Sequence, residues 1–143
     1  MSTIEQSIDV NVPVRASYDQ WTQFEQFPRF MEGVEEVRQI DDTHLRWRTR
    51  IAGEQQEFDA EITEQHPDHR IAWRSTPGGE HAGVVTFHSI SVEQTRIKLQ
   101  LDVEHGTIPE KVGAALGLVK HRVKGDLERF KEMMESDDRQ NAR

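Results

Sequence analysis

Histidines are the side chains of this chain best suited to proton transfer, and two of them lie at its predicted last helix. His121 continues a line of glycines spaced by four, Gly113, Gly117 and Gly125, and His105 precedes the helix. A histidine acts as a general base when a partner and a substrate are placed for it. No such partner stands at a telling spacing, so a helix-side histidine is the simpler interpretation. The sequence identifies no catalytic residue.

Two further patterns suggest metal or anion binding but have simpler explanations. His66 and His69 flank Asp68, yet no third ligand is evident and the chain has no cysteine, so we expect a solvated turn, no metal and no cofactor. Alternating arginines on one predicted strand meet alternating carboxylates on the next, which favours a surface ion-pair ladder over an anion site. These residues are Arg46, Arg48, Arg50, Glu57, Asp59 and Glu61.

A long amphipathic helix is predicted from Thr107 to Glu135. Thr107 and Glu110 have the spacing of a capping box. The glycine line on the helix indicates that something comes close to it, either a strand or a ligand. The apolar stripe follows helical spacing. It consists of Val112, Leu116, Val119, Val123, Leu127, Phe130 and Met134.

Most of the remaining chain alternates apolar and polar residues with a period of two, which predicts strands. A first strand, Thr3–Val12, precedes a short helix, Val14–Phe24, and a second short helical turn that Gly33 closes; six strands follow from Val34. This order predicts an α+β fold with a curved seven-stranded antiparallel sheet whose apolar face the last helix covers, leaving a cavity. We expect one domain over residues 1–135 and a polar tail over 136–143.

Composition excludes several classes of function. A formal net charge of −8 argues against a nucleic-acid surface, and no apolar run approaches the length that spans a bilayer. The N-terminus lacks a signal-peptide pattern. We therefore predict a cytoplasmic protein without nucleic-acid partners or stable membrane insertion.

The chain resembles the polyketide cyclase/dehydrase-like branch of the START-like (SRPBCC) superfamily over about Ile4 to Glu135. The resemblance lies in the order of elements, the stretch from Trp21 to Met31, the Gly-Val-Val-Thr-Phe strand beginning at Gly83, and the Asp-Leu-Glu-Arg-Phe-Lys segment beginning at Asp126. It implies a helix-grip fold, in which the sheet wraps the last helix around a deep hydrophobic pocket. The superfamily includes lipid and ubiquinone carriers, aromatase/cyclases and hormone receptors.

The inward faces of the predicted strands and helix supply a candidate pocket, with an ordinary packed core as the alternative. We expect the loops Thr76–Ala82 and Glu104–Ile108 to gate its mouth. The predicted ligand-binding residues are Trp47, Thr49, Phe58, Trp73, Ser75, Val85, Phe87, Leu99, Leu101, Gly113, Leu116, Gly117, Lys120 and His121.

Two functions compete for this pocket. The first is a binding or carrier module for a hydrophobic small molecule such as a lipid, a quinone or a polyketide-like compound. The alternative is an aromatase/cyclase that folds a poly-β-ketone chain and removes water, which requires polar groups inside the pocket. Few are expected, and their scarcity favours binding; a protein partner for the acidic surface is a third, weaker hypothesis. The expected inward polar residues are Thr49, Gln56, Ser75, Ser89 and His121.

Overall fold

The fold is a curved antiparallel sheet of seven strands that packs on a long C-terminal helix. The structure is a computed structural model. Its backbone is described for residues 2–51, 53–76, 81–103 and 112–141, and its side chains for the same residues except 2, 51, 54, 81, 103, 112–119 and 137–141. The elements are β1 (Ser2–Val10), α1 (Val14–Trp21), a 3-10 helix (Phe24–Arg29), β2 (Val34–Gln39), β3 (His44–Ile51), β4 (Glu54–His66), β5 (Arg70–Thr76), β6 (His81–Ser91), β7 (Gln94–Val103) and α2 (Val112–Asn141).

The strand order is β1-β7-β6-β5-β4-β3-β2, and every neighbouring pair is antiparallel. Strands β2 to β7 form a meander of hairpins, whereas β1 pairs with β7 across almost the whole chain. The predicted α+β class and the seven-stranded sheet are confirmed. Gly53 and Asp68 take positive φ angles of 81° and 64° at two of the hairpin turns. Glycine does so without strain, and Asp is among the residues that tolerate this conformation.

Four of the described apolar side chains of α2 pack into the core. Val123, Leu127, Phe130 and Met134 are all buried against the sheet and the short helices, as the predicted stripe requires. Within the described residues, no helix is long and apolar enough to cross a membrane.

Several predicted boundaries differ from the structure. Strand β1 ends at Val10 rather than Val12, and α1 ends at Trp21 rather than Phe24. The backbone of α2 continues to Asn141, beyond the predicted start of the polar tail at Ser136. Extending an existing helix adds one hydrogen bond per residue, so a polar segment continues it readily. The predicted capping box lies outside the described residues.

Candidate functional site

The nine sheet residues that were predicted to line a pocket share one face of the sheet. Trp47 lies opposite Phe58, and Trp73 and Leu101 lie on either side of Gly83. Directly opposed residues in a sheet point to the same side, so the register alone brings this set together. The set is Trp47, Thr49, Phe58, Trp73, Ser75, Val85, Phe87, Leu99 and Leu101. Their role in binding a ligand stays a prediction.

Burial divides this inner face into two parts. Near α1, Val85 and Phe87 are buried, whereas Phe58, Trp73 and Leu101 at the other end of the strands are partly exposed. Two buried hydroxyl residues lie among these partly exposed side chains. We call this second part the Trp73 region, and it comprises Thr49, Phe58, Trp73, Ser75, Gly83 and Leu101.

Trp73 lies directly against the backbone of Gly83. A Cβ atom placed on Gly83 would be 2.7 Å from Trp73 Cε2, nearer still to Cζ2, and 3.0 Å from Leu101 Cδ2. Ordinary carbon–carbon contacts are about 3.5–4.0 Å, so no larger residue fits here while the indole keeps its place. The missing side chain of Gly83 therefore allows the indole to lie low on the inner face.

Trp47 borders the Trp73 region with a parallel ring stack. Its ring centroid lies 6.0 Å from that of Phe58, with 7° between the ring planes. The indole N–H of Trp47 is buried and has no hydrogen-bond partner in the described part of the chain. Leaving such a donor unpaired costs roughly 1–3 kcal/mol. The N–H can donate to an oxygen atom that approaches it.

The other part of the inner face is filled by rings that, apart from Phe87, were not predicted to line the pocket. Phe24, Phe27 and Phe30 recur every three residues, which aligns them along one side of a 3-10 helix. Trp21 packs against Phe130 with ring centroids 5.0 Å apart. The three-residue spacing of the phenylalanines was the available signal. We call this group the aromatic cluster, and it comprises Tyr18, Trp21, Phe24, Phe27, Phe30, Phe87 and Phe130.

Polar side chains of α2 fasten the helix beside the aromatic cluster, and these too were not predicted. Arg129 Nε donates to the Phe30 carbonyl at 2.9 Å, and Asp126 accepts from the Glu32 backbone N–H at 2.9 Å and from Arg129. Burial raises the pKa of the Asp126 carboxyl, although its hydrogen bonds and nearby arginines act in the opposite direction. These contacts hold the chain between the 3-10 helix and β2 against α2.

The helix is also attached at two other places. Arg122 Nη1 donates to the Arg50 carbonyl at 3.0 Å, close beside Gly33, where a Cβ would lie 2.8 Å from Arg122 Nη1. Further along, Lys131 Nζ donates to the Asp9 carbonyl at 3.0 Å. The described part of α2 is therefore hydrogen-bonded to β1, at one edge of the sheet, and to β3, near the opposite edge.

The two predicted helix residues with described side chains do not join the inner face. Lys120 and His121 are exposed, and at about 100° per residue His121 lies roughly 160° around the helix from buried Val123. At Gly125 the close neighbour is the Arg129 side chain rather than a strand or a ligand, since a Cβ added there would lie 3.1 Å from Arg129 Nη1. Three of the predicted residues lie outside the described side chains: Gly113, Leu116 and Gly117.

The predicted turn and loops are only partly described. His66 ends β4 with its Nε2 atom 3.6 Å from Glu64, and His69 lies in the following turn; both are exposed. In the described part of the chain, no three His, Asp or Glu side chains are placed to hold a metal ion. Residues 77–80 of the first predicted gating loop, and all of Glu104–Ile108 with His105, lie outside the described residues.

The predicted ion-pair ladder exists on the outer face but extends over more strands. Arg46 contacts Asp59 at 2.8 Å and Glu57 at 3.1 Å, as expected. Arg48 and Arg50 instead reach Glu35 on β2, at 3.6 and 3.3 Å. Glu61 contacts Arg74 on β5 at 3.1 Å. The arginines therefore have carboxylate partners on both neighbouring strands.

The described side chains of the sheet's inner face offer hydroxyls and amides rather than titratable groups. Among its sheet positions with described side chains none is Asp, Glu, His, Lys or Arg, whereas the register also places the backbone of Glu54, opposite Ile51, and of His81, opposite Val103, at positions in phase with this face. Thr49 and Ser75 are buried there, and Gln56 is exposed at its margin. Such groups orient a ligand, but they do not exchange protons near neutral pH.

Comparison with known proteins places this fold in a family. The sequence model of the family "Polyketide cyclase / dehydrase and lipid transport" matches residues 10–132. A Streptomyces lincolnensis protein, described as an uncharacterized 17.2 kDa protein in the melC2-rnhH intergenic region, is 54% identical over 136 residues, covering 94% of this chain and 91% of that protein.

Solved structures share the fold at low sequence identity. The Zhui aromatase/cyclase from Streptomyces sp. R1128 superposes with a TM-score of 0.76 at 15% identity, covering 94% of this chain and 93% of that one. A START superfamily protein from Mycobacterium smegmatis gives a TM-score of 0.76 at 13% identity, with coverage of 92% and 98%. The predicted helix-grip architecture is thereby confirmed.

Proposed function

Because the chain belongs to the polyketide cyclase/dehydrase and lipid transport family, within the START-like superfamily, we propose that it binds a hydrophobic small molecule between the sheet and α2. The observation that carries this proposal is the Trp73 region. Its aromatic and aliphatic side chains are partly exposed on the same inner face that is densely packed elsewhere. Ligand sites combine apolar walls with a few fixed polar groups, as here.

The polar groups of the region favour binding over catalysis. Thr49 and Ser75 supply hydroxyls, and Trp47, which borders the region, has a buried indole N–H without a partner in the described residues. An aromatase/cyclase must move protons as its substrate folds and loses water. Among the described side chains of the sheet's inner face none is suited to that step, which supports a carrier or sequestering role for a lipid, a quinone or a polyketide-like compound.

A fluorescent fatty acid tests the proposal. We expect cis-parinaric acid to bind saturably and Leu101→Trp, which fills the Trp73 region, to weaken binding about tenfold. Gln100→Trp is the matched control, because it adds the same ring at the next residue, which points to the outer face. Circular dichroism verifies that both variants fold. Equal affinities for the two variants, or no saturable binding to the unaltered protein, would contradict the proposal.

Native mass spectrometry of the protein purified from its own host identifies the ligand. A carrier with a hydrophobic cargo retains a non-covalent adduct whose mass gives its composition. Incubation with a linear poly-β-ketone then separates the two functions, since a carrier returns the chain unchanged and a cyclase releases water.

A further inference from the structure

We propose that Gly83 determines which ligands the protein accepts, because it sets the height of Trp73 above the sheet. This inference rests on the proposed function and adds to it a specificity-determining residue. It follows from three neighbouring positions, Trp73, Gly83 and Leu101, which stand side by side on β5, β6 and β7.

The indole occupies the space that a side chain at residue 83 would fill. The Cβ of an alanine there would be 2.7 Å from Trp73 Cε2 and 3.0 Å from Leu101 Cδ2. Since carbon atoms in contact are about 3.5–4.0 Å apart, one added methyl group must lift the ring by about 1 Å. Protein interiors are close-packed, so the ring moves into the space above it.

The surface of Trp73 away from Gly83 is where a ligand gains most. Trp73 is only partly covered, although it lies on the buried face of the sheet between Ile62 and Gly83. A flat, rigid ring presents a large contact area at little cost in conformational entropy. The position of the indole therefore limits how bulky the fused-ring part of a ligand can be.

Two ring systems of different size test the inference by calorimetry: 2-naphthol, with two fused rings, and 1-hydroxypyrene, with four. We expect G83A to weaken binding of 1-hydroxypyrene about tenfold while binding of 2-naphthol changes less than about threefold. In a W73L background, G83A should have no effect on either probe, because the ring that it displaces is gone. This double-mutant comparison separates the steric effect from a change in the backbone.

Equal weakening of both probes by G83A, or the same weakening in W73L, would overturn the inference and leave the proposed function standing. If G83A does not fold, W73F decides, since it must change the ratio of the two affinities at least about threefold. Failure of the unaltered protein to bind either probe or cis-parinaric acid would overturn the proposed function, and the inference with it.

Discussion

The aromatic cluster and the Trp73 region occupy the same inner face, but they use their aromatic residues differently. In the aromatic cluster the rings are buried and meet at centroid distances of 5.0 to 6.3 Å. In the Trp73 region, Phe58 and Trp73 remain partly exposed. Burying apolar surface is worth about 25 cal/mol per Å². Folding therefore gains this free energy fully in the aromatic cluster and only in part in the Trp73 region. A ligand that covers the exposed part of Phe58 and Trp73 would gain the rest on binding.

Polar side chains of α2 also attach the helix beside the aromatic cluster. Asp126 and Arg129 bond to Glu32 and Phe30 beside the aromatic cluster, whereas Arg122 bonds to the Arg50 carbonyl, next to Thr49 of the Trp73 region, and Lys131 bonds to the Asp9 carbonyl. The cluster is therefore both packed by rings and bonded through polar groups. Stability and ligand binding should respond to substitutions in different parts of the protein.

The largest expected effect is loss of stability on truncating the cluster. Phe130 is fully buried, with ring centroids 5.0 Å from both Trp21 and Phe30. Phe130→Ala should lower the free energy of unfolding by about 3–5 kcal/mol. Phe58→Ala is the matched change in the Trp73 region and should cost clearly less, because that ring is already partly exposed. Urea denaturation measures both, and similar losses would remove the distinction between the two regions.

Removing a polar attachment should have an intermediate effect. Arg129→Ala takes away the donor to the Phe30 carbonyl and the cation beside Asp126, and we expect it to cost about 1–3 kcal/mol. Arg96→Ala breaks an exposed pair with Asp9 and should cost less than about 1 kcal/mol. If urea denaturation shows that both variants lose the same free energy of unfolding, then the contacts of Arg129 stabilise the fold no more than an exposed ion pair does.

The pKa of Asp126 predicts how that attachment depends on pH. Burial raises the pKa of this carboxyl in the folded protein. A group that binds its proton more tightly when folded contributes stability below its unfolded pKa, about 3.9, and loses it as pH rises through the folded pKa. The stability of Asp126→Asn relative to the unaltered protein should therefore increase as pH rises from about 3.9. Urea denaturation across this range checks the sign, and a falling difference would show that the hydrogen bonds outweigh burial.

The smallest effect is expected on the outer face. Arg46 pairs with Asp59 and Glu57 in a solvent-exposed ladder. Arg46→Ala should cost less than about 1 kcal/mol and leave binding of cis-parinaric acid unchanged. Any marked fall in affinity would mean that the outer face takes part in binding, and thermal unfolding with and without the probe distinguishes the two effects.

Individual residues show where sequence reasoning stopped. His121 fell on the glycine line and was expected near a ligand, yet it is exposed on the side of α2 away from Val123. Gly125 was interpreted as room for a strand or a ligand, whereas its neighbour is Arg129. Spacing along a helix shows which residues share a face, but it does not show which neighbour covers that face.

The sequence by itself determined the strands, the face of the alternating residues within them and the described part of the buried stripe of α2, because these follow from local periods of two and about 3.6 residues. Only the tertiary structure decided that β1 pairs with β7, that Phe24, Phe27 and Phe30 close one end of the inner face, and that Trp73 lies against Gly83. These relations join residues on different elements. They depend on strand register and on which surfaces pack together, and a local sequence pattern determines neither.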